Sequence, residues 1–286
     1  MCRALLYLGE PVLLDNLLFQ PDSALVRQAY MPKMLNLLNL AGFGLRAWDP
    51  GSHAPGKPYF YASPSLPVFD RNLKNLAEKV RAGCVLAHVR GVAYSTAVEI
   101  SLQNVHPFQF DALPWALAHN GDLAGIADMK PQLAPHVKPE FLSRIRGTTD
   151  SEWIYALFVS QLKQPSEPAD EATVFEAIEK TLAVLRKARE RLGIALSSSV
   201  NLFIANGSQL AAARYCFDFG CYRTDDPARH DGEWKMTGGA EHADSIIVAS
   251  EPLTRDTSAW VELPEYGALF AEVRAGRPRL SLRLLD

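Results

Sequence analysis

Short apolar runs separated by turn residues recur along the chain. The runs CRALLYLG (2–9) and PVLLDNLLF (11–19) are divided by Gly9-Glu10-Pro11, a pattern that predicts a strand hairpin. The stretches LPWALAHNGDLAGI (113–126) and VNLFIANGSQLAAARY (200–215) each place an Asn-Gly pair between apolar segments, which is the strongest short signal for a hairpin turn. The apolar runs CVLAHVR (84–90), DSIIVAS (244–250), ALFAEVR (268–274) and LSLRLL (280–285) predict further strands.

Helical spacing of apolar residues marks three longer segments. Residues 70–83 begin with a capping Asp70, carry leucines and a valine on one face, and predict a helix that ends at Gly83. The segments TTDSEWIYALFVSQL (148–162) and DEATVFEAIEKTLAVLRKARERLG (170–193) predict a second and a third helix. No linker divides the chain, so we expect one domain in which antiparallel hairpins pack against paired helices.

The stretch from Trp48 to Pro67, rich in glycine, proline and serine, predicts a long loop. Loops of this length in compact proteins often cover a site. This loop carries the aromatic residues Trp48, Tyr59, Phe60 and Tyr61.

Composition and charge exclude several classes of protein. The 286 residues are 48% hydrophobic, with a net charge of −3 and interspersed charges, so nothing indicates a nucleic-acid or membrane surface. No apolar run approaches the roughly 18 residues of a membrane span, and no secretory signal is recognisable. We therefore expect a cytoplasmic protein that acts on a small molecule.

The four cysteines are too few for a disulfide framework in a chain of this length, and free thiols are expected. Cys216 and Cys221, with His230 and His242 downstream, raise the possibility of zinc. Their C-x4-C spacing is loose and the histidines are not paired, so no metal and no cofactor are expected.

Cys2 follows the initiator methionine directly. Its side chain is small enough for Met1 to be removed, which would leave a free α-amine beside the thiol. An α-amine has a pKa of about 7.7–8.0 and is able to take a proton from the thiol. Cys2 is therefore either a catalytic nucleophile or a chance occurrence at this position.

Asn120 and Gly121 are suited to stabilise an oxyanion, because an asparagine amide donates hydrogen bonds and glycine allows close approach of its backbone N–H. The same pair also suits an ordinary hairpin turn. Arg90, after an apolar strand, is able to hold a carboxylate or to form a surface salt bridge. Asp150 is able to hold an ammonium group or only to favour a helix N-terminus, where Thr149 and Glu152 match a capping box.

In order and spacing, the segments MC, AHVR, HPF, AHNGD and GTTDSE resemble the class II glutamine amidotransferases of the N-terminal nucleophile (Ntn) hydrolase superfamily. The segments NLAGFGLRAW, NLFIANGSQLAAARY, IIVASEPL and WVELPEYG are similar to other parts of its stand-alone members, including the γ-glutamyl amidohydrolases of the ergothioneine pathway. Ala41 in NLAGFG stands where the family commonly has aspartate.

The resemblance implies an α+β fold, a four-layer αββα sandwich, formed by residues 2–286 as a single domain. It also implies that Cys2 is the nucleophile, that Asn120 and Gly121 form the oxyanion hole, and that Arg90 and Asp150 bind the α-carboxylate and α-ammonium of the substrate. His88, His106 and His119 are expected to support the site rather than react.

The implied reaction is hydrolysis of a γ-glutamyl amide through a thioester, with release of glutamate and an amine or ammonia. Three alternatives stay open: a γ-glutamyl amidohydrolase, a glutaminase that feeds ammonia to a separate synthase subunit, and a non-catalytic glutamyl-binding protein of the same fold. For the first alternative, the aromatic residues of the loop 48–67 either contact the leaving group or only pack within a surface loop.

Overall fold

The computed structural model describes residues 2–33, 38–92, 99–217, 245–274 and 277–285, together with the backbone of 234–237. The strands are β1 (Arg3–Leu13), β2 (Phe43–Trp48), β3 (Tyr59–Ser63), β4 (Arg81–Val89), β5 (Ala116–Asp122), β6 (Ser198–Ala205), β7 (Gln209–Arg214), β8 (Cys216–Phe217), β9 (Trp234–Thr237), β10 (Ser245–Ala249), β11 (Trp260–Glu262), β12 (Gly267–Arg274) and β13 (Arg277–Leu284). The α-helices are α1 (Asp15–Leu18), α2 (Arg71–Ala77), α3 (Ile126–Leu133), α4 (Pro139–Leu142), α5 (Asp150–Gln161) and α6 (Glu171–Leu192). Short 3-10 turns lie at Arg27–Ala29, Pro67–Phe69, Leu102–Asn104 and Ala134–His136.

Two antiparallel sheets form the centre of the protein. The first sheet has the strand order β11-β9-β10-β1-β4-β2-β3, and the second has the order β13-β12-β7-β6-β5, with β8 paired to β6. Alternate residues of β1, namely Ala4, Leu6 and Leu8, pack between the sheets against residues of β5, β6, β7 and β12. The layer between the sheets is therefore largely apolar.

Helices cover the outer face of each sheet. Leu5 and Tyr7 of β1 point away from the second sheet and pack with residues of α1 and α2. On the other side, α3, α5 and α6 pack on the second sheet. The layers follow the order helix, sheet, sheet, helix, and the expected αββα sandwich is confirmed. Since β1 is covered on both faces, it reads as a continuous apolar run rather than as an alternating one.

The hairpin expected at Gly9-Glu10-Pro11 is wrong. Strand β1 continues to Leu13 and pairs with β4 on both sides of this point, with Leu8 opposite Cys84 and Val12 opposite Ala82. The three residues 9–11 face only one residue of β4, so the turn-like sequence is accommodated as a bulge in one strand. The following residues Asp15–Leu18 form α1 instead of a second strand.

The two Asn-Gly pairs have different structures. Asn206-Gly207 joins β6 to β7, and Gly207 adopts a positive φ of 97°, so this predicted hairpin is confirmed. At Asn120-Gly121 the predicted hairpin is wrong, because β5 runs through both residues to Asp122 and pairs with β6 along its length. Asn120 faces Asn201, a partner distant in sequence, so long-range pairing overrides the local turn signal.

The predicted helices have correct starts and one wrong end. Asp70 caps α2 by accepting a hydrogen bond from Leu73 N–H, but α2 ends at Ala77 and Gly83 lies inside β4. Helices α5 and α6 match their predicted segments. Among the described residues, no helix combines the length and the apolar character needed to cross a bilayer.

The interpretation of 48–67 as one loop is also wrong. Trp48 ends β2 and is buried between the sheets, in contact with Gly207, and Tyr59–Ser63 form the edge strand β3. The connection 49–58 follows the end of β2 that pairs with Cys84, whereas Phe43 at the other end pairs with Val89. The six residues of β2 span about 17–20 Å. Trp48 and the connection 49–58 therefore lie away from Val89. Strand β3 runs back toward it, with Tyr61 opposite Leu45 and Ser63 opposite Phe43.

Candidate active site

The Cys2 thiol lies at the start of β1 and is only 6% exposed. Arg3 pairs with Val89, which places Cys2 next to the residues that follow β4. Gly91 N–H donates a hydrogen bond to Cys2 Sγ at 3.3 Å, and the thiol lies 3.5 Å from the Gly91 carbonyl oxygen. The pairing of β1 with β4 thus positions the sulfur beside Arg90 and Gly91.

Burial raises the pKa of the Cys2 thiol. The hydrogen bond with Gly91 and the positive charge of Arg90 lower this pKa, and the charge of Asp150 raises it, but burial is the largest effect. The thiol is therefore protonated at neutral pH and needs a base before it is able to act as a nucleophile.

Arg90 directly follows β4 and is held by its backbone on both sides. Its N–H donates to Gly42 O at 2.8 Å, and its carbonyl oxygen accepts from Ala41 N–H at 2.9 Å. The guanidinium group donates to Glu99 O at 3.0 Å. Ala41 is fully buried and supports Arg90 through its backbone, a contact that needs no particular side chain.

Asp150 is the first residue of α5, but it is not the residue that caps the helix. Thr149 supplies the cap by accepting a hydrogen bond from Glu152 N–H, while Asp150 Oδ2 accepts one from Leu123 N–H at 2.8 Å. Because Leu123 follows the end of β5, this bond fixes the carboxylate beside the strand that carries Asn120 and Gly121.

Asn120 and Gly121 lie near the end of β5, where the side chain of Asn120 is completely buried. Its Nδ2 donates to Ser250 Oγ at 2.9 Å, and Ser250 Oγ also accepts from Ala4 N–H at 3.0 Å. At Gly121, a Cβ atom would lie 2.0 Å from Ser199 O and 2.6 Å from His119 Nε2, so only glycine fits beside strand β6.

The five predicted residues lie on elements that meet at one end of the sandwich. The charges of Arg90 and Asp150 act on the pKa of Cys2, and those of Cys2 and Asp150 act on the pKa of Arg90. The region combines the Cys2 thiol, the Arg90 guanidinium and the Asp150 carboxylate. The Asn120 amide is linked to β1 through Ser250, whose Oγ accepts from both Asn120 Nδ2 and Ala4 N–H. This set is able to bind a zwitterionic head group and to attack an adjacent carbonyl.

Sequence reasoning missed a buried charged pair behind Cys2. Arg3 is 1% exposed, donates to Cys2 O at 2.9 Å, and lies 3.6 Å from the carboxylate of Glu251. Ser250, next to Glu251, was also missed as a partner of Asn120. The available signal was a single arginine inside the apolar run RALLYL, together with a polar Ser-Glu pair directly after the apolar run IIVA.

The three histidines form a buried cluster. The rings of His88 and His106 are stacked with centroids 4.1 Å apart, and His119 N–H donates to His106 Nδ1 at 3.3 Å. Burial lowers the pKa of His88 to about 3 and that of His106 well below its ordinary value. Both rings are neutral at physiological pH, which fits a packing role.

Two other cysteines lie in the described part of the chain. Cys84 is a free, buried thiol, and burial raises its pKa to about 12. Cys216 is disulfide-bonded, so the expectation of a free thiol is wrong there. Cys221, His230 and His242, considered for zinc, lie outside the described residues. Within the described residues, no group of three or more potential ligands is placed to hold a metal ion.

Known proteins with similar sequences and folds were found. The sequence profile of the class-II glutamine amidotransferases matches residues 67–283. The Saccharomyces cerevisiae protein described as "Probable glutamine amidotransferase DUG3" is 28% identical, over 92% of this chain and 80% of its own length. The gamma-glutamyl-hercynylcysteine sulfoxide hydrolase of Mycobacterium tuberculosis is 24% identical, over 93% of this chain and 90% of its own length.

A solved structure shows the same fold over almost the full length of both chains. It is a glutamine aminotransferase class-II domain protein from Silicibacter pomeroyi, with a TM-score of 0.65, 22% identity and 98% coverage of each chain. The family profile spans well over half of the sequence, so the predicted amidotransferase family is confirmed. The chain belongs to the class-II glutamine amidotransferases.

Proposed function

We propose that this protein hydrolyses the γ-amide bond of a γ-glutamyl amide with Cys2 as its nucleophile. The observation that carries the proposal is the meeting of Cys2, Arg90, Asn120 and Asp150 at one end of the sandwich, although they are far apart in sequence. Family membership and the gamma-glutamyl hydrolase among its relatives support the same reaction.

Removal of Met1 is part of the proposal. The buried thiol needs a base, and a free α-amine on Cys2, with an ordinary pKa of about 7.7–8.0, is able to serve near neutral pH. While Met1 is attached, the nitrogen of Cys2 is a peptide nitrogen and has no basic lone pair. Removal of Met1 therefore creates the amine that activates the thiol.

The amine takes the thiol proton, and the sulfur attacks the γ-carbonyl carbon to form a C–S bond. The resulting oxyanion accepts hydrogen bonds from Asn120 Nδ2 and the Gly121 N–H. Collapse of this intermediate breaks the C–N bond, and the departing amine takes the proton from the Cys2 ammonium. Water, deprotonated by the same amine, then cleaves the thioester and releases glutamate.

Arg90 and Asp150 bind the invariant part of the substrate. The guanidinium of Arg90 pairs with the α-carboxylate, and the Asp150 carboxylate pairs with the α-ammonium. Neither group contacts what is attached to the γ-nitrogen. These two residues therefore select a γ-glutamyl head group. Specificity for the leaving amine must come from other residues.

We propose that residues 2–286 act as one domain in the cytoplasm, and that no cofactor takes part. The leaving group is either ammonia from glutamine or the amine of a γ-glutamyl conjugate. A glutaminase would pass its ammonia to a synthase subunit, whereas a conjugate hydrolase needs no partner.

A substrate panel tests the proposal and separates its alternatives. Glutamate and ammonia are measured separately for wild type, Cys2→Ala and the control Cys84→Ala, with glutamine and with γ-glutamyl dipeptides. We expect glutamate from wild type and Cys84→Ala, and none from Cys2→Ala. A preference for glutamine would favour the glutaminase, and a preference for dipeptides the conjugate hydrolase. No glutamate from any substrate would contradict the proposal and favour the non-catalytic binding protein.

A further inference from the structure

We propose that Ser250 is a positioning residue that sets the orientation of the Asn120 side-chain amide. The inference rests on the proposed function, in which Asn120 stabilises the oxyanion. Ser250 directly follows β10 and is 4% exposed. Its hydroxyl oxygen accepts one hydrogen bond from Asn120 Nδ2 at 2.9 Å and another from Ala4 N–H at 3.0 Å.

The chemistry of the two groups explains why one bond sets the whole amide. The NH2 group of asparagine has two N–H donors in one plane, so holding one of them fixes the direction of the other. A hydroxyl oxygen accepts through two lone pairs, and at Ser250 both face N–H donors. Because Ser250 holds one N–H of Asn120, the plane of the whole amide has a defined direction.

Ser250 also ties this amide to the strand of the nucleophile. Ser250 N–H donates to Ala4 O at 3.1 Å, so backbone and side chain of Ser250 both bond Ala4, two residues after Cys2. Asn120 belongs to the second sheet, whereas Ala4 belongs to the first sheet and Ser250 directly follows a strand of the first sheet. The contact thus links the two sheets through a largely apolar layer and fixes the oxyanion donor relative to Cys2.

A double-mutant cycle tests this role through steady-state kinetics on a γ-glutamyl amide. Ser250→Ala is expected to lower kcat about tenfold with KM changed less than about twofold, since one hydrogen bond that acts on the transition state is lost. In an Asn120→Ala background the same change is expected to lower kcat less than about twofold, because its target is gone. Ser250→Ala also removes the hydrogen bond from Ala4 N–H, but this loss occurs in both backgrounds and cancels when the two changes in kcat are compared.

Ser160→Ala is the matched control. Ser160 Oγ also accepts a backbone hydrogen bond, from Lys138 N–H at 3.0 Å, but it lies near the far end of α5, roughly 15 Å along the helix from Asp150. The kcat of Ser160→Ala is expected to stay within about twofold of that of the wild type. Hydrogen exchange of the Asn120 side-chain amide in the wild type adds a test that needs no variant: one N–H is expected to exchange slowly.

The outcomes separate this inference from the proposed function. An active wild type together with an unchanged kcat in Ser250→Ala, equal losses in both backgrounds, or fast exchange of both Asn120 side-chain protons would overturn the role of Ser250 alone. A wild-type protein that hydrolyses no γ-glutamyl amide would contradict the proposed function and, with it, this inference.

Discussion

The guanidinium of Arg3 donates a hydrogen bond to the carbonyl oxygen of Cys2 at 2.9 Å. The same side chain forms a buried ion pair with Glu251, whose carboxylate also accepts from Ser23 Oγ and Lys33 N–H. The backbone of the proposed nucleophile is therefore held by a charged network inside the protein, and the network connects β1 with the residues after β10.

Loss of the Glu251 charge should destabilise the fold. Glu251→Gln leaves the Arg3 guanidinium buried without its carboxylate, and breaking a buried pair in this way costs about 3–5 kcal/mol. Glu176→Gln is the control, because Glu176 pairs with Lys180 and both side chains are 52% exposed, where such pairs contribute little to the free energy of unfolding. Urea unfolding at pH 7 measures both variants. Equal decreases in the free energy of unfolding would show that the buried Arg3–Glu251 pair stabilises the fold no more than the control pair does.

A side chain at residue 121 should damage the site. In Gly121→Ala the added Cβ meets the Ser199 carbonyl of β6 at 2.0 Å, and because this is backbone, the strands must shift. We expect kcat to fall about 100-fold or more, or the protein to lose its fold. Gly56→Ala is the control, because nothing lies within 4 Å of its Cβ position. Circular dichroism and kcat distinguish the two effects, and wild-type values for Gly121→Ala would contradict the geometry.

The sequence predicted well those features that depend on neighbouring residues. The Thr149 and Asp70 caps, the helices α5 and α6 and the turn at Gly207 each follow from a few adjacent side chains. The proximity of Cys2, Arg90, Asn120 and Asp150 does not, because strand pairing between distant segments creates it. Only the ordered resemblance to a known family made this grouping predictable.

Two of the errors have a common physical cause. Gly9-Glu10-Pro11 and Asn120-Gly121 carry strong turn signals, yet each lies in a strand whose partner is far away in sequence. Burial of both faces and long-range pairing outweigh local turn propensity there. Arg3 was missed for a similar reason. Its burial is explained by the ion pair with Glu251, which lies about 250 residues later in the sequence. The segment 48–67, by contrast, contains β3, which pairs with β2 across the shorter connection 49–58.

The two head-group residues should affect substrate binding more than the chemical step. Arg90→Lys keeps the charge but loses the planar fork, and Asp150→Asn removes the partner of the α-ammonium. We expect each change to raise KM about tenfold or more, with a smaller effect on kcat. Steady-state kinetics with glutamine and with γ-glutamyl dipeptides should show the same proportional loss for every substrate. A loss confined to one leaving group would contradict recognition of the shared head group.

The buried histidines should make the protein sensitive to mild acid. The folded pKa of His88 is about 3 and that of His106 is also depressed, whereas an unfolded histidine titrates near about 6.5. Below that pH the unfolded chain binds more protons, so stability falls as the pH decreases from about 6.5 toward the folded pKa values. The slope is about 1.4 kcal/mol per pH unit for each proton.

His88→Gln should remove the contribution of one proton to this slope. Urea unfolding at several pH values between about 7.5 and 4.5 measures it. His53→Gln, at an exposed position in the connection between β2 and β3, is the matched control and should leave the slope as in wild type. An identical slope for His88→Gln would show that His88 does not enter the folded core as a neutral ring.

Mass spectrometry after labelling tests the identity of the nucleophile most directly. The protein is incubated with a diazoketone analogue of glutamine, and the intact mass and the modified peptide are then determined. The account predicts a chain that lacks Met1 and carries one adduct on Cys2, with no labelling of Cys2→Ala and full labelling of Cys84→Ala. An adduct on another residue, or labelling and full turnover of a protein that retains Met1, would contradict Cys2 as an amine-activated nucleophile.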